Sequence, residues 1–303
     1  MKYLVTGAGG FLGNHICEYF DKKNIAYRAT VREKKNDHQF STGDLTQFSD
    51  WQNLFKGIDI VIHSAAKAHD MSGHPGLKDI YQEVNLHLTL RLAKEAKKAQ
   101  VKRFIFISTI KVNGELTDEK SFSADDVPAP TDDYGISKYQ AETELLKLHT
   151  PGEFEVVIIR PCLIYGRGVK ANFQSLIKLV DKAWPLPFAS IQNKRSFVSV
   201  DNLIDLIHLC ATATKASGQI FLVSDDNDLS LPDLIRNIAR AAGKKAILVP
   251  FPVFIFKILL KLLGKSDLSV RLFSSLQVDI EKTKSLLNWK PPFSVQDSLK
   301  QML

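Results

Sequence analysis

Short apolar runs alternate with amphipathic segments through the first half of the chain. The apolar runs predict strands over residues 2–6, 26–31, 58–63, 103–108 and 156–160. Between them, apolar residues recur at helical spacing and predict helices over 13–23, 51–55, 77–99 and 137–149. Nearly continuous apolar strands that alternate with helices are typical of a parallel sheet covered on both faces. The pattern therefore predicts an α/β fold with a doubly wound parallel sheet.

The pattern loosens after residue 160. Prolines and glycines interrupt short helical pieces, and two apolar segments, 196–200 and 220–223, are expected to return to the first domain. The rest predicts a smaller, mainly helical C-terminal substrate domain. The predicted division is a first domain of residues 1–166 with returning segments at about 195–225, and a second of 167–194 and 226–303.

Three glycines follow the first predicted strand and open the first predicted helix. Gly7 permits a tight turn, Gly10 lets backbone amides approach a pyrophosphate, and Gly13 allows close helix packing. In this context the motif predicts a dinucleotide site in a Rossmann-type domain, with the phosphates at the helix N-terminus. Other residues expected at this site are Phe11, Leu12, Asp44, Leu45, Ala65 and Ala66.

The residue after the second predicted strand bears on the choice of cofactor. A site for NAD usually places Asp or Glu there to hold the ribose hydroxyls, whereas this chain has Arg32. The planar guanidinium of Arg32 is suited to a 2′-phosphate. We therefore favour NADP(H), with NAD(H) as the alternative; a solvated basic loop is the competing interpretation.

Tyr134 and Lys138 lie one turn apart on a predicted helix. A nearby ammonium group favours a phenolate, so we expect this pairing to lower the pKa of Tyr134 towards the working pH. Tyr134 is then a candidate proton donor and acceptor for a carbonyl/alcohol pair. Two polar residues on a solvated helix are the alternative, and the predicted hydride carrier favours the catalytic interpretation.

The 303 residues carry a net charge of +7. Their lysines are scattered and accompany no nucleic-acid recognition motif, so we expect no nucleic-acid partner. The three cysteines have no metal-ligand spacing, which predicts reduced thiols, no metal and a cytoplasmic protein.

One segment, 246–264, is almost entirely apolar. Two prolines break its start and Lys257 and Lys261 interrupt the rest, so the unbroken apolar part is too short to span a bilayer. A buried helix is the favoured interpretation. Because the two lysines are four residues apart on one face, peripheral contact of 250–264 with a membrane or a partner is the alternative.

Motifs along the whole chain resemble, in order and spacing, the extended short-chain dehydrogenase/reductase family and its nucleotide-sugar epimerase/dehydratase group. They are GAGGFLG at 7–13, GDL at 43–45, HSAA at 63–66, VN at 84–85, FISTIKVNG at 106–114, YGISK at 134–138, RPCLIYG at 160–166 and RSFVSVDNLID at 195–205. The resemblance implies an NAD(P)-dependent enzyme that acts on a nucleotide sugar, and a homodimer formed through 77–99 and 137–149.

The resemblance also implies roles for individual residues. Thr109 would hydrogen-bond the reacting sugar oxygen beside Tyr134 and Lys138, and Ser108 would support the cofactor. Asn113 stands where the family usually has Tyr, and Leu163 where many epimerases carry Asn. Further implied contacts are Pro161 for the cofactor, and Lys111, Asn172, Phe173, Arg195 and Arg271 for the nucleotide sugar.

A narrower resemblance is to enzymes of surface-polysaccharide synthesis. It favours reduction of a UDP-4-keto-6-deoxy-N-acetylhexosamine at C4, with a UDP-hexose 4-epimerase that holds NAD tightly as the alternative. A 4,6-dehydratase is disfavoured because Ile110 and Lys111 stand where it would carry an acid/base pair. A non-catalytic NADP-binding regulatory protein is disfavoured because Thr109, Tyr134 and Lys138 are all present.

Overall fold

A parallel sheet forms the centre of the protein. The computed structural model describes residues 1–67, 76–169, 172–262, 264 and 266–303, and within these ranges seven parallel strands pair in the order β3-β2-β1-β4-β5-β6-β9. Their bounds are β1 Tyr3–Thr6, β2 Tyr27–Val31, β3 Gln39–Ser41, β4 Ile60–His63, β5 Arg103–Ile107, β6 Glu155–Pro161 and β9 Ile220–Val223. The predicted α/β fold with a doubly wound parallel sheet is confirmed.

The strand order reverses beside β1, which lies between β2 and β4. In register, Thr6 pairs with His63 at the carboxyl ends of β1 and β4. Open α/β sheets bind ligands at such a switch point, outside the carboxyl ends of the strands. The connections after β1, β4 and β5 therefore converge on one edge of the sheet.

Helices cover both faces of this sheet. On one face Phe20 of α1 and Leu206 of α7 are buried in the same cluster, and on the other Leu92 of α4 packs with Leu145 of α5. The bounds of the helices up to α7 are α1 Phe11–Lys23, α2 Trp51–Phe55, α3 Leu77–Tyr81, α4 Leu88–Lys98, α5 Asp133–Leu148, α6 Asn172–Asp181 and α7 Val200–Thr212. A wider, π-helical stretch, Gln82–His87, joins α3 to α4 within the helix predicted over 77–99.

The second half of the chain adds a third cluster of buried residues, around Tyr165, Phe197 and Ile235. A separate pair of short parallel strands, β7 (Leu163–Tyr165) and β8 (Phe197–Ser199), leads into it. The remaining helices are α8 Leu231–Ala241, α9 Val253–Leu262, α10 Ser266–Phe273, α11 Glu281–Leu287 and α12 Val295–Met302. Ile280 and Trp289 belong to the first core instead, so the predicted domain division stays a prediction.

The apolar segment 246–264 is not a buried helix, and the favoured expectation was wrong. Its residues Val253–Leu262 form α9, in which Leu260 is buried while Phe254, Ile258 and Leu262 are 66%, 54% and 79% exposed. The sequence could not reveal this, because apolar composition does not say whether the fold supplies a partner for each face. Every helix within the described ranges is too short or too polar to cross a membrane.

Candidate functional site

The turn between β1 and α1 leaves no room for side chains. Gly7 has φ +74°, and a Cβ there would lie 2.6 Å from the backbone nitrogen of Ala65. A Cβ on Gly13 would lie 2.2 Å from the carbonyl oxygen of Gly7, and the Gly10 amide donates to that same oxygen at 2.9 Å. The backbone of this turn and the first residues of α1, Phe11 and Leu12, therefore form a glycine cradle. This cradle fits a dinucleotide pyrophosphate.

A buried histidine joins the switch-point strands beneath this cradle. Its two ring nitrogens lie 2.7 Å from the hydroxyl of Thr6 and 2.8 Å from the hydroxyl of Thr89. Burial, with a smaller contribution from the charge of Lys138, lowers the pKa of His63 to about 3. The imidazole is therefore neutral and ties β1, β4 and α4 together.

Arg32 lies exposed just after β2, where the adenine ribose is expected. Its backbone carbonyl accepts a 2.9 Å hydrogen bond from Ser41. The carboxylate of Asp44 accepts hydrogen bonds from the backbone and hydroxyl of Thr46, and these, more than the charge of Arg32, lower the pKa of Asp44. Asp44 thus caps the short helix that begins at Leu45, and the guanidinium of Arg32 is open to solvent.

The predicted catalytic residues meet at the carboxyl end of β5. The hydroxyls of Tyr134 and Thr109 form a hydrogen bond, and Thr109 caps the short helix Ile110–Val112. Tyr134 lies in the first turn of α5, and its ring packs 5.8 Å from that of Tyr81. A proton donor and a second hydroxyl therefore face one site.

Lys138 does not lower the pKa of Tyr134, and that prediction was wrong. Burial and the nearby carboxylate of Asp132 raise the pKa of Tyr134 to about 12, while the hydrogen bond from Thr109 acts in the opposite direction. The Lys138 ammonium instead donates a 2.7 Å hydrogen bond to the carbonyl oxygen of Ile107 and lies 4.3 Å from the centre of the Phe106 ring. Burial lowers the pKa of Lys138 to about 7, against the opposing charge of Glu142.

Four buried polar side chains support this site from below. Glu142 accepts a short hydrogen bond from Ser108 and two charged hydrogen bonds from Arg160, of 3.0 Å from Nε and 2.5 Å from Nη2. The other guanidinium nitrogen of Arg160 donates to Asn113 at 2.9 Å. Ser108 is thus turned towards Glu142. Asn113, where the resembling family has Tyr, belongs to this network, and its amide also donates to the carbonyl of Ser123.

Asp132 connects the segment after Thr109 with the helix that carries Tyr134. One carboxylate oxygen caps α5 by accepting from the Gly135 amide at 2.7 Å, and the other accepts from the Lys111 ammonium at 2.5 Å. Lys111 also donates to Glu115 at 2.7 Å. The lysine is therefore committed to two carboxylates, and it holds the segment after Thr109 against the start of α5.

Asn85 performs a similar function on the opposite side. It is fully buried, accepts from the Lys67 amide at 2.9 Å and donates to Ser137 at 3.1 Å. Ser137 in turn donates to the carbonyl of Tyr134 at 2.8 Å. Asn85 thereby connects the segment after Ala65 and Ala66 with α5, the helix of Tyr134 and Lys138.

The predicted substrate residues lie on the second-half elements. Arg195 pairs through its backbone with Leu229 and Leu276, and its guanidinium donates to the carbonyl of Ser274 at 3.4 Å. The ring of Phe173 is buried and stacks 5.3 Å from that of Tyr165, so its side chain is part of the core. Pro161 is buried at the end of β6. The side chains of Asn172 and Arg271 lie outside the described residues.

Sequence reasoning missed Asp132, Glu142 and Arg160 as site residues. Two of them carried a signal: an Asp before a predicted helix is a typical N-cap, and Glu142 is one helical turn beyond Lys138. No signal in the sequence indicated that Glu142 pairs with Arg160, because this ion pair joins residues of two different elements across the face of the sheet.

The comparisons with known proteins agree with this geometry. Residues 3–224 match the NAD dependent epimerase/dehydratase family. A UDP-glucose 4-epimerase from Vibrio cholerae is 46% identical, over 98% of this chain and 93% of its own length. An N-acetyl-alpha-D-glucosaminyl-diphospho-ditrans,octacis-undecaprenol 4-epimerase from Escherichia coli O157:H7 is 26% identical, over 99% and 93%.

A solved structure has the same architecture. The crystal structure of a UDP-glucuronic acid 4-epimerase from Bacillus cereus in complex with NAD matches with a TM-score of 0.76 and 25% identity, over 100% of this chain and 95% of that one. The family match covers the sheet, the glycine cradle and the Tyr134–Lys138 helix. The chain therefore belongs to the NAD dependent epimerase/dehydratase family.

Proposed function

We propose that this protein is a UDP-hexose 4-epimerase that uses NAD. The observation that carries the proposal is the hydrogen-bonded pair of Tyr134 and Thr109, placed at the sheet edge that also holds the glycine cradle and Lys138. The site thus supplies a proton-transfer group, a second hydroxyl to orient a sugar oxygen, and a binding site for a hydride carrier. Bound NAD supplies the hydride acceptor and donor for C4 of the sugar.

The protein's own residues handle the proton and the alignment. Tyr134 takes the proton from the C4 hydroxyl and later returns it, while Thr109 orients that oxygen by its hydroxyl. Lys138, held at the Ile107 carbonyl, adds positive charge one helical turn beyond Tyr134 on α5. Burial raises the pKa of Tyr134 in the ligand-free protein, so the base role requires that the positive nicotinamide of bound NAD, together with Lys138, favour the phenolate; the proton taken from the C4 hydroxyl is then the one returned.

The relatives support epimerisation over the reduction that we first favoured. The 46% identical Vibrio cholerae protein is a UDP-glucose 4-epimerase, and the Bacillus cereus structure is a 4-epimerase with NAD. An epimerase returns its hydride to the same sugar, so each cycle leaves the cofactor as it was found. This chemistry suits a retained NAD.

Reduction with NADPH stays the second candidate, because of Arg32. Its exposed guanidinium lies next to the expected adenine ribose, where a 2′-phosphate would be paired. On the substrate side, Arg195 is the proposed partner of the diphosphate, and Asn172 and Arg271 stay predictions. A homodimer through 77–99 and 137–149 also stays a prediction, and Ile80 and Tyr139 are exposed apolar residues on these segments.

The test is product formation from UDP-glucose by the purified protein without added cofactor. We expect UDP-galactose to form, NAD to be released from the denatured protein in near-stoichiometric amount, and no net change of nicotinamide absorbance. Deuterium at C4 of the substrate should be kept in the product. Formation of product only with added NADPH, consumed one for one with a 4-keto sugar, would instead establish the reductase.

A further inference from the structure

The outward face of α9 is apolar although nothing in the described part of the chain covers it. Phe254, Ile258 and Leu262 lie one turn apart, and Ile255 and Leu259 lie beside them, at 36% and 47% exposed. At 3.6 residues per turn these five side chains span an arc of about 140°. We call them, with Lys257 and Lys261, the α9 surface.

The helix is nevertheless held firmly by its opposite side. Leu260 is buried, and the ring of Phe256 lies 5.5 Å from Phe273, 5.8 Å from Phe188 and 5.8 Å from Phe251. α9 is therefore packed against the protein on one side, and the exposed arc is a second apolar side of the same helix. A helix with two apolar sides requires a second apolar environment.

The charges beside the arc identify that environment. The two exposed lysines, Lys257 and Lys261, are one helical turn apart and lie beside one edge of the apolar arc. Lysines that flank an apolar face are typical of a helix that lies in a membrane interface. Neither forms an ion pair with a carboxylate of the described residues, and Lys257 lies 5.8 Å from the Phe273 ring. Both ammonium groups are thus available to an anionic surface.

Positive charge is concentrated around this helix. Residues 234–266 contain seven lysines and arginines and no aspartate or glutamate, so this stretch has the same net charge, +7, as the whole chain. Two of the seven, Arg236 and Lys244, are neutralised by Asp233 and Asp181. The rest of the chain is neutral overall, so this stretch of sequence accounts for the whole net positive charge of the protein.

These observations favour a lipid surface over a second copy of the chain. A twofold interface places the same surface on both sides, and the α9 surface would then set lysines against lysines with no acid from 234–266 to pair them. We propose that the α9 surface docks on an anionic lipid bilayer, with the five apolar side chains among the acyl chains and Lys257 and Lys261 at the phosphates.

The docked surface would lie close in the chain to the proposed substrate site. After α10, Ser275 and Leu276 pair with Thr117 of the loop beyond Thr109 and with the backbone of Arg195. Docking of α9 on the bilayer would therefore hold the substrate-binding half of the protein at the membrane. The inference does not depend on which reaction the site performs.

The experiment is vesicle sedimentation of the full chain. We expect the protein to sediment with vesicles of equal phosphatidylcholine and phosphatidylglycerol, to stay in solution with phosphatidylcholine alone, and to be released by high salt. K257E/K261E should weaken binding more than about tenfold, and F254S/L262S similarly, because both the charge and the apolar contact are required.

The matched control is K22E/K56E, which changes the charge equally at two exposed lysines of the nucleotide-binding half. It should bind vesicles within about twofold of the wild type, since neither lysine lies near α9 in the chain. All variants should keep their melting temperature and their turnover of a UDP-sugar in solution. The proposal would be overturned if the wild type bound neutral and anionic vesicles equally well, or if K22E/K56E lost as much binding as K257E/K261E. It would also be overturned if the wild type proved to be a dimer that F254S/L262S dissociates.

Discussion

The ammonium group of Lys138 lies 2.7 Å from the carbonyl oxygen of Ile107, the last residue of β5. The same strand end leads directly to Ser108 and Thr109. Lys138 therefore fixes α5 to the strand that leads to the Thr109 hydroxyl, and Tyr134 is placed by that contact as much as by its own helix. Positioning, rather than a direct lowering of the tyrosine pKa, is what this lysine contributes in the structure.

Removal of the Tyr134 hydroxyl is the most direct test of the catalytic assignment. In Y134F turnover should fall by about two or more orders of magnitude, because the proton at the C4 oxygen loses its acceptor. Binding of a UDP-sugar and the melting temperature should change little, since the ring contact with Tyr81 is kept. T109V should lose less turnover than Y134F. Turnover of Y134F near that of the wild type would refute the role.

The buried Lys138 predicts a pH dependence of stability in cofactor-free protein. Its pKa is about 7 in the folded chain but 10.5 when unfolded, so between these values the unfolded chain binds more protons. The wild type should therefore gain stability relative to K138M as the pH rises from 7 towards 10. Below pH 7 the difference should level off. Thermal melts of both proteins at matched pH measure it, and a difference that falls with rising pH would contradict the burial of this charge.

The glycine cradle provides a matched pair of substitutions. A methyl group on Gly13 meets the carbonyl oxygen of Gly7 at 2.2 Å, whereas one on Gly9 meets nothing within 4 Å. G13A should lose its retained NAD and melt at lower temperature, because backbone cannot give way as a flexible side chain would. G9A should melt like the wild type. The same result for both would argue against the tight cradle.

Glu142 and Arg160 form a buried ion pair in which both side chains are 2% exposed. In E142Q the guanidinium loses its charged partner, and we expect the free energy of unfolding to fall by about 3–5 kcal/mol. E144Q removes an exposed partner of Lys147 on the same helix and should cost less than about 1 kcal/mol. Urea denaturation measures both, and E142L/R160M, which removes both charges, should recover much of the loss.

The local pattern was sufficient for the sheet and its cofactor cradle. Apolar runs of four or five residues that alternate with helical spacing leave few ways to bury both faces of β1, β4 and β5. Gly7, Gly10 and Gly13 then follow from steric exclusion at one turn. These properties depend on neighbours in the sequence, so they could be predicted from it.

Long-range contacts decided the rest. The sequence by itself determined that Tyr134 and Lys138 share a helix, but only the tertiary structure placed the Lys138 ammonium at the Ile107 carbonyl and raised the tyrosine pKa by burial. It likewise decided which side of α9 is covered, since the Phe256 ring finds its partners far along the chain. Composition sets how much apolar surface a segment has, whereas burial and charge pairing depend on what the fold brings next to it.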